Sequence, residues 1–399
     1  MSLSLSQKAA NLKPSATLAV GALAKEMKRE GKPVIAFSQG EPDFVSPKSA
    51  LDAGIEAINK GYTHYTASNG IAELREAISA YYKKHFNLDY SANDVVVGAG
   101  AKPVLYAAMA AILDPGDEVI VPTPAWVSYV EQIRLCGARE VLVECSDTGN
   151  VPSIERIKAA ITPKTKCILL NSPNNPTGAV YGPETMKGIA KLALEHDFII
   201  LNDEIYERLV YGNAKFCEIL TVCPEVKDRT ININGMSKAF AMTGWRIGYA
   251  IGPAKYIKAI GSIQGHLTSN ACSIAQYAAL GALRGSDDTD VETMRVAFGK
   301  RRDLVFSILD AIPDITYIKP DGAFYVLIDL KKLLGKKHGD VVLTDDATFC
   351  SDLLKTKYVA VTPGSAFLAD GTLRIAYANS EDEIREGLRR FAEYVSEIK

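Results

Sequence analysis

Short apolar runs recur through the middle of the chain, each followed by polar residues and then by a stretch of helical periodicity. DVVVG (94–98), DEVIVP (117–122), KCILLN (166–171), DFIILND (197–203) and RTININ (229–234) are β-branched or leucine-rich and too short for helices. They are expected to be buried strands. Residues 104–113 and 183–196, lying between runs, have the spacing of helices. Strands alternating with helices predict an α/β fold whose mainly parallel central sheet is covered on both faces. In such sheets a ligand lies at the carboxyl ends of the strands, so the polar residues that follow each run become the candidates for chemistry.

Beyond about Gly285 the pattern changes. A charged helical stretch (289–309) leads into YIKPDGAFYVLIDL and VAVTPGSAFL, which predict a second, smaller α+β unit. The segment up to Val45 lacks strand–helix alternation and is expected to pack with that unit. The predicted division is a large unit over 46–295 and a small one made of 1–45 and 296–399. No repeat, low-complexity region or charged tail interrupts this plan.

Composition narrows the function classes. The chain has 399 residues, 47% hydrophobic and 23% charged, with a formal charge of −2. That balance is ordinary for a globular protein and gives no electrostatic reason to expect nucleic acid or an anionic membrane as partner. The seven cysteines are scattered, with no CxxC pair, which favours a reducing compartment over a disulfide framework. The five histidines form no metal-ligand pattern, so no metal is expected. No signal peptide and no membrane span are read, and the expected location is the cytoplasm.

The polar segments carry distinctive chemistry. The first run leads into Gly98-Ala99-Gly100-Ala101-Lys102-Pro103 and a helix, a place where backbone N–H groups and the helix dipole favour a phosphate. A dinucleotide fingerprint is the alternative, but Pro103 stands where its third glycine belongs. SPNNPTG (172–178) makes a rigid polar loop at a strand end. Asp203 and Tyr206 follow the next apolar run, and Trp126 lies in TPAWVSY after an earlier one. NINGMSKAFAMTGWRIG (232–248) sets Lys238 beside Ser237, with Arg246 downstream. An amine can hold an aldehyde cofactor, and hydroxyl and cationic groups suit its phosphate. Arg374 sits inside the apolar run LRIAY (373–377), where a buried guanidinium needs a partner, best a carboxylate. GEPDF (40–44) and YTHYTASNG, with Tyr65, complete the set near the N-terminus.

These motifs, in this order from about Lys13 to Asn379, resemble the class I pyridoxal-phosphate (PLP) aminotransferases. The resemblance implies a fold-type I enzyme with PLP held by Lys238, whose freed amine is the catalytic base. It implies that Gly100, Ala101, Lys102, Ser237 and Arg246 surround the phosphate and that Trp126 stacks on the ring. Asn175 and Tyr206 would reach the ring oxygen, and Asp203 the pyridine nitrogen. Arg374 would clamp the substrate α-carboxylate beside the Gly40 backbone, with Trp126 and Asn175 also against the substrate. Tyr65 would reach the phosphate of a neighbouring subunit, which implies a homodimer with shared active sites.

Within the family, the segment 262–270 lacks the arginine that one branch uses for a distal carboxylate. Lys102 stands where the bacterial aspartate aminotransferase branch sometimes called Iβ carries a lysine for that role. KPSATLAV (13–20) also resembles that branch, with Ser15 and Thr17 near the substrate mouth. The expected reaction is ping-pong transamination of L-aspartate with 2-oxoglutarate, giving oxaloacetate and L-glutamate. Aromatic or prephenate specificity is the alternative, followed by a PLP-dependent C–S lyase or an aminocyclopropane carboxylate synthase. A non-catalytic regulator on this fold normally needs an attached DNA-binding segment, for which no room is expected before Lys13 or after Asn379.

Overall fold

The computed structural model describes residues 5–12, 16–285 and 288–399. Ser15 and the side chain of Thr17 lie outside the described residues. A seven-stranded sheet forms the centre. Its spatial order is Val95–Gly98, Gly248–Ile251, Thr230–Gly235, Ile199–Asp203, Thr165–Asn171, Glu118–Thr123, Arg139–Glu144. Gly248–Ile251 runs antiparallel to both neighbours, and the other pairs are parallel. The five expected strands are all present. Two further strands escaped notice: Arg139–Glu144 is a partly exposed edge rich in charge, and Gly248–Ile251 lacks a β-branched run.

Helices cover both faces. Ala101–Ile112, Val127–Leu135 and Ala254–Leu267 pack on one side against Val96, Val121, Leu169, Leu201 and Ile231. On the other side Pro183–His196 packs on Ile168, Leu170 and Ile200, while Ala72–Phe86 and Ser273–Gly285 cover Val95, Val97 and Ile251. A fully buried Leu, Ile or Val contributes about 1.5–3 kcal/mol, so these contacts outweigh intrinsic helix propensity in fixing the layers.

Thr230–Gly235 shows how alternation divides the sheet. Ile231 and Ile233 join the apolar layer, while Asn232 and Asn234 point the other way and are also buried. Burial of the amides is compensated by carboxyl partners. Asn232 Nδ2 donates to Glu218 Oε1 at 2.9 Å, and Asn234 Nδ2 to Glu207 Oε1 at 3.5 Å.

The smaller unit is a four-stranded antiparallel sheet ordered Thr362–Pro363, Thr372–Ala376, Tyr325–Asp329, Thr316–Tyr317. Helices Thr289–Leu309, Asp346–Lys357 and Glu381–Glu397 belong with it. Residues 35–37 join this unit: Ile35–Ala36 pairs in parallel with Val359–Ala360, and Phe37 O accepts from Ala376 N at 2.8 Å. Residue 295 lies within the continuous helix Thr289–Leu309, which links the two units. Ile205, Tyr206, Leu209 and Tyr211, from the loop after Ile199–Asp203, are buried in one core with Phe298, Phe324 and Tyr325. The two units therefore meet where the central strands end, and the polar strand-end residues line the seam. Among the described residues no helix is long and apolar enough to cross a membrane.

Candidate active site

A cavity of about 300 Å³ opens at that seam. Lys238 reaches into it from the loop between Thr230–Gly235 and Gly248–Ile251. Met236, Ala239, Phe240 and Met242 are buried around it and fasten the loop to the sheet. Lys238 Nζ donates to Gly40 O at 2.6 Å and lies 6.0 Å from the Tyr206 ring centroid. Burial brings its pKa down to about 8; Glu41 opposes the shift, and the charges of Arg374 and Arg246 add to it. A minority of the amine, far more than for an ordinary lysine, is therefore neutral near physiological pH, and that is the form that attacks a carbonyl.

Asp203 ends its strand facing the same space and is 5% exposed. Burial raises its carboxyl to about 6, against hydrogen bonds from Tyr129 and the Ile205 backbone. Tyr129 Oη donates to Asp203 Oδ2 at 2.7 Å and Ile205 N to Oδ1 at 3.2 Å. Asn171 Nδ2 fixes the Asp203 backbone carbonyl at 3.1 Å. The Tyr206 and Tyr325 hydroxyls lie 2.7 Å apart at the cavity wall.

Opposite lies an anion cradle. Gly100 precedes the helix Ala101–Ile112 with φ +103°, a conformation that favours glycine, and a Cβ there would collide with the Arg246 guanidinium. Pro103 is the third residue of this helix, not part of the preceding turn. Ala101, Ser237 and Arg246 line the cavity beside the helix start. Free N–H groups, a hydroxyl and a guanidinium around a space that any side chain would fill form a fit for phosphate. Lys102, one residue into the helix, holds Nζ 4.6 Å from the Trp126 ring centroid. Partial burial and the nearby Arg246 charge lower its pKa.

Arg374 is 2% exposed, with its Cζ 4.5 and 4.6 Å from the Tyr325 and Phe367 ring centroids. Its Nη1 donates to Asn175 Oδ1 and its Nη2 to Ser38 O, both at 2.8 Å. Among the described residues its Nε has no hydrogen-bond partner and no carboxylate pairs with the guanidinium, which lines the cavity. A fork with spare donor capacity in a cavity is suited to a ligand's carboxylate. Asn175 is held in turn by its own N–H, which donates to Asn171 Oδ1 at 2.8 Å.

Ten of the residues singled out from sequence share this one cavity with Lys238: Gly40, Ala101, Lys102, Trp126, Asn175, Asp203, Tyr206, Ser237, Arg246 and Arg374. Gly100 adjoins it through Arg246. Tyr65 does not line it, and the residue is 90% exposed. Sequence reasoning passed over Tyr129, Tyr325, Asn171 and the Gln39–Glu41–Thr243 group. Asn171 was visible as the polar end of an apolar run, and Tyr129 follows Trp126 at helical spacing. Tyr325 had no signal, because it opens a largely apolar strand, Tyr325–Asp329, and is one of many buried aromatics. Glu41 accepts from Gln39 Nε2 at 2.8 Å and from the Thr243 hydroxyl, tying the N-terminal segment to the Lys238 loop.

Comparison with known proteins agrees with this geometry. Residues 32–391 match the family model described as aminotransferase class I and II. An aspartate aminotransferase of Bacillus sp. (strain YM-2) is 45% identical over 392 residues, covering 98% of this chain and 99% of that one. An aspartate/prephenate aminotransferase of Cereibacter sphaeroides is 44% identical and covers 97% of each chain. The solved structure of Thermus thermophilus aspartate aminotransferase with maleate has a TM-score of 0.92 at 42% identity, covering 98% of this chain and 100% of that one. Every cavity residue from Gln39 to Arg374 falls within the matched span, and the chain belongs to the class I and II aminotransferase family.

Proposed function

We propose that this PLP-dependent aminotransferase transfers the amino group of L-aspartate to 2-oxoglutarate. The observation that carries the substrate is the presence of two cationic groups, Arg374 and Lys102, in one cavity with Lys238. The relatives from Bacillus and Thermus, named aspartate aminotransferases, support the same choice. Maleate, a dicarboxylate, accompanies the Thermus enzyme in its structure. The Cereibacter relative, named an aspartate/prephenate aminotransferase, supports prephenate as a second amino acceptor.

In this reading Gly100, Ala101, Ser237 and Arg246 hold the cofactor phosphate, with Lys102 adding charge. Tyr65 of a second copy completes the cradle. Exposed apolar side chains at Val45, Ile55 and Ile58, close in sequence to Tyr65, support a homodimer with shared sites. Trp126 would cover the ring, Asn175 and Tyr206 would bond its oxygen, and Asp203 would serve its pyridine nitrogen. Bound there, PLP supplies an electron sink for the charge left when the substrate Cα loses its proton. Lys238 Nζ takes that proton and returns it to the other side of the transferred nitrogen, a task suited to an amine with a pKa of about 8. Arg374, Lys102 and the Gly40 backbone orient the substrate so that its Cα–H bond faces Lys238. The same groups serve both ping-pong halves, because both substrates are dicarboxylates. We assign residues 46–295 to the large unit and 1–45 with 296–399 to the small one. The seven unpaired cysteines support a cytoplasmic setting.

The test is the absorption spectrum of cofactor-loaded protein before and after L-aspartate alone. A band shift that 2-oxoglutarate reverses supports the assignment. A spectrum that ignores aspartate but answers another amino acid overturns the substrate while keeping the chemistry. Release of ammonia and pyruvate without an acceptor would mark a lyase.

A further inference from the structure

We propose that Tyr129 is a positioning residue, whose hydroxyl aims the Asp203 carboxylate at the cofactor ring and so sets how tightly the ring is held. The inference rests on the reading of the cavity as a PLP site. Tyr129 is 2% exposed and stands in the first turn of the helix Val127–Leu135, with its N–H on Trp126 O at 3.0 Å. Its ring meets the Trp126 indole edge-on, centroids 5.3 Å apart. One turn of chain thus presents both the aromatic face proposed for the ring and the hydroxyl that holds the proposed counter-ion.

Among the described residues no arginine or lysine lies within ion-pair distance of Asp203. The titratable and charged groups around it are few. Tyr129 comes from the neighbouring helix, Lys238 from the loop across the cavity, and Glu204 and Tyr206 from its own strand-end loop. Of its two side-chain hydrogen bonds, the one from Tyr129 is the shorter, 2.7 Å against 3.2 Å from Ile205 N. A carboxylate in so dry a place keeps its charge only through such donors. Burial has already lifted this carboxyl to about 6, so loss of the hydroxyl lifts it further toward neutrality. A neutral carboxyl cannot act as counter-ion to a protonated pyridine nitrogen. Tyr129 itself remains a donor at all physiological pH values, because burial and the Asp203 charge both push its phenol pKa well up.

The experiment compares wild type, Tyr129→Phe, Asp203→Asn and the double variant as full-length apoproteins titrated with PLP, by absorbance and tryptophan fluorescence, from pH 5.5 to 8.5. Circular dichroism melts check that each variant folds. Tyr129→Phe keeps the ring packing, so a change in binding reports the hydroxyl. Expected is a loss of PLP affinity of about 10- to 100-fold at neutral pH, the size of one charge-assisted hydrogen bond. The acid limb of binding should also move to higher pH. In the Asp203→Asn background the same substitution should change affinity by less than about 2-fold, since the charge it supports is gone. Equal losses in both backgrounds, or unchanged binding by Tyr129→Phe, overturn the inference. If wild type itself takes up no PLP, the reading of the cavity fails first and the inference falls with it.

Discussion

Lys238 Nζ and the Gly40 carbonyl are joined by a 2.6 Å hydrogen bond, across 198 residues of sequence and across the seam between the two units. The protonated amine has no lone pair for covalent chemistry, whereas the neutral amine has one and still keeps N–H groups for this bond. The pKa of about 8 poises the amine between those states. Because burial lowers this base, the neutral form appears as pH rises through about 8 instead of near the usual lysine value. We predict that the rate of PLP capture by apoprotein rises between about pH 7 and 9, its midpoint near the lowered pKa. A midpoint above 10 would contradict the burial argument. Lys238→Ala should cut turnover by at least about 10²–10⁴-fold, the range for loss of a general base. Substantial residual transamination would sink the role given to Lys238.

Arg374 is expected to act on every substrate alike, since all amino and oxo acids in the reaction share the carboxylate it would clamp. Arg374→Lys keeps a charge but loses the planar fork that now spans Asn175 and Ser38. Removing one partner of a buried charge pair costs about 2–5 kcal/mol, so kcat/KM should fall by at least about 30-fold. Steady-state kinetics with aspartate and with an aromatic amino acid should show matching losses. A loss confined to aspartate would move Arg374 to the distal carboxylate.

Lys102 should behave in the opposite way. The residue is exposed overall, but its ammonium lies partly desolvated over the Trp126 face. Among the described residues no acidic side chain pairs with it, so it is available to a distal carboxylate. Lys102→Gln is expected to raise KM for aspartate about 10-fold, as one charged hydrogen bond would, and to leave aromatic substrates nearly unchanged. PLP affinity measured on the same variant separates the alternatives. If cofactor binding falls while substrate discrimination holds, Lys102 belongs to the phosphate.

Why so many of the cavity-lining residues could be picked out from sequence follows from where they sit. Asp203, Asn175 and Trp126 come just after apolar runs, and a parallel sheet sends all such ends to one edge. Arg374 was conspicuous because a guanidinium in an apolar strand is costly unless it has work to do. What stayed hidden was partnership. Tyr129 and Tyr325 are aromatic residues among many buried ones, and only the fold shows that each hydroxyl ends on another site residue. The Glu41–Thr243 contact joins positions 202 apart, and no local pattern encodes it. The antiparallel strand Gly248–Ile251 escaped because GYAI lacks the β-branched run that marks the equally short Val95–Gly98.

A last prediction concerns the buried carboxyls on the polar side of the sheet. Glu207 is 5% exposed, accepts from the Tyr81 hydroxyl and leaves its Oε2 without a partner. Burial raises its pKa to about 7, against the charge of Arg208 and bonds from Tyr81 and Asn234. A carboxyl whose folded pKa exceeds its unfolded value contributes stability at low pH. That contribution is lost as pH rises from about 4.5 toward 7, because the unfolded chain ionises more easily. Glu207→Gln removes this titration and keeps the shape. Its effect on stability relative to wild type should therefore become more favourable as pH rises, by an amount on the order of 3 kcal/mol between pH 4.5 and 8. Denaturant melts of both proteins at those two pH values measure the difference directly. A gap that does not change with pH would mean that Glu207 is already ionised in the folded protein at the lower pH, its charge stabilised by Arg208.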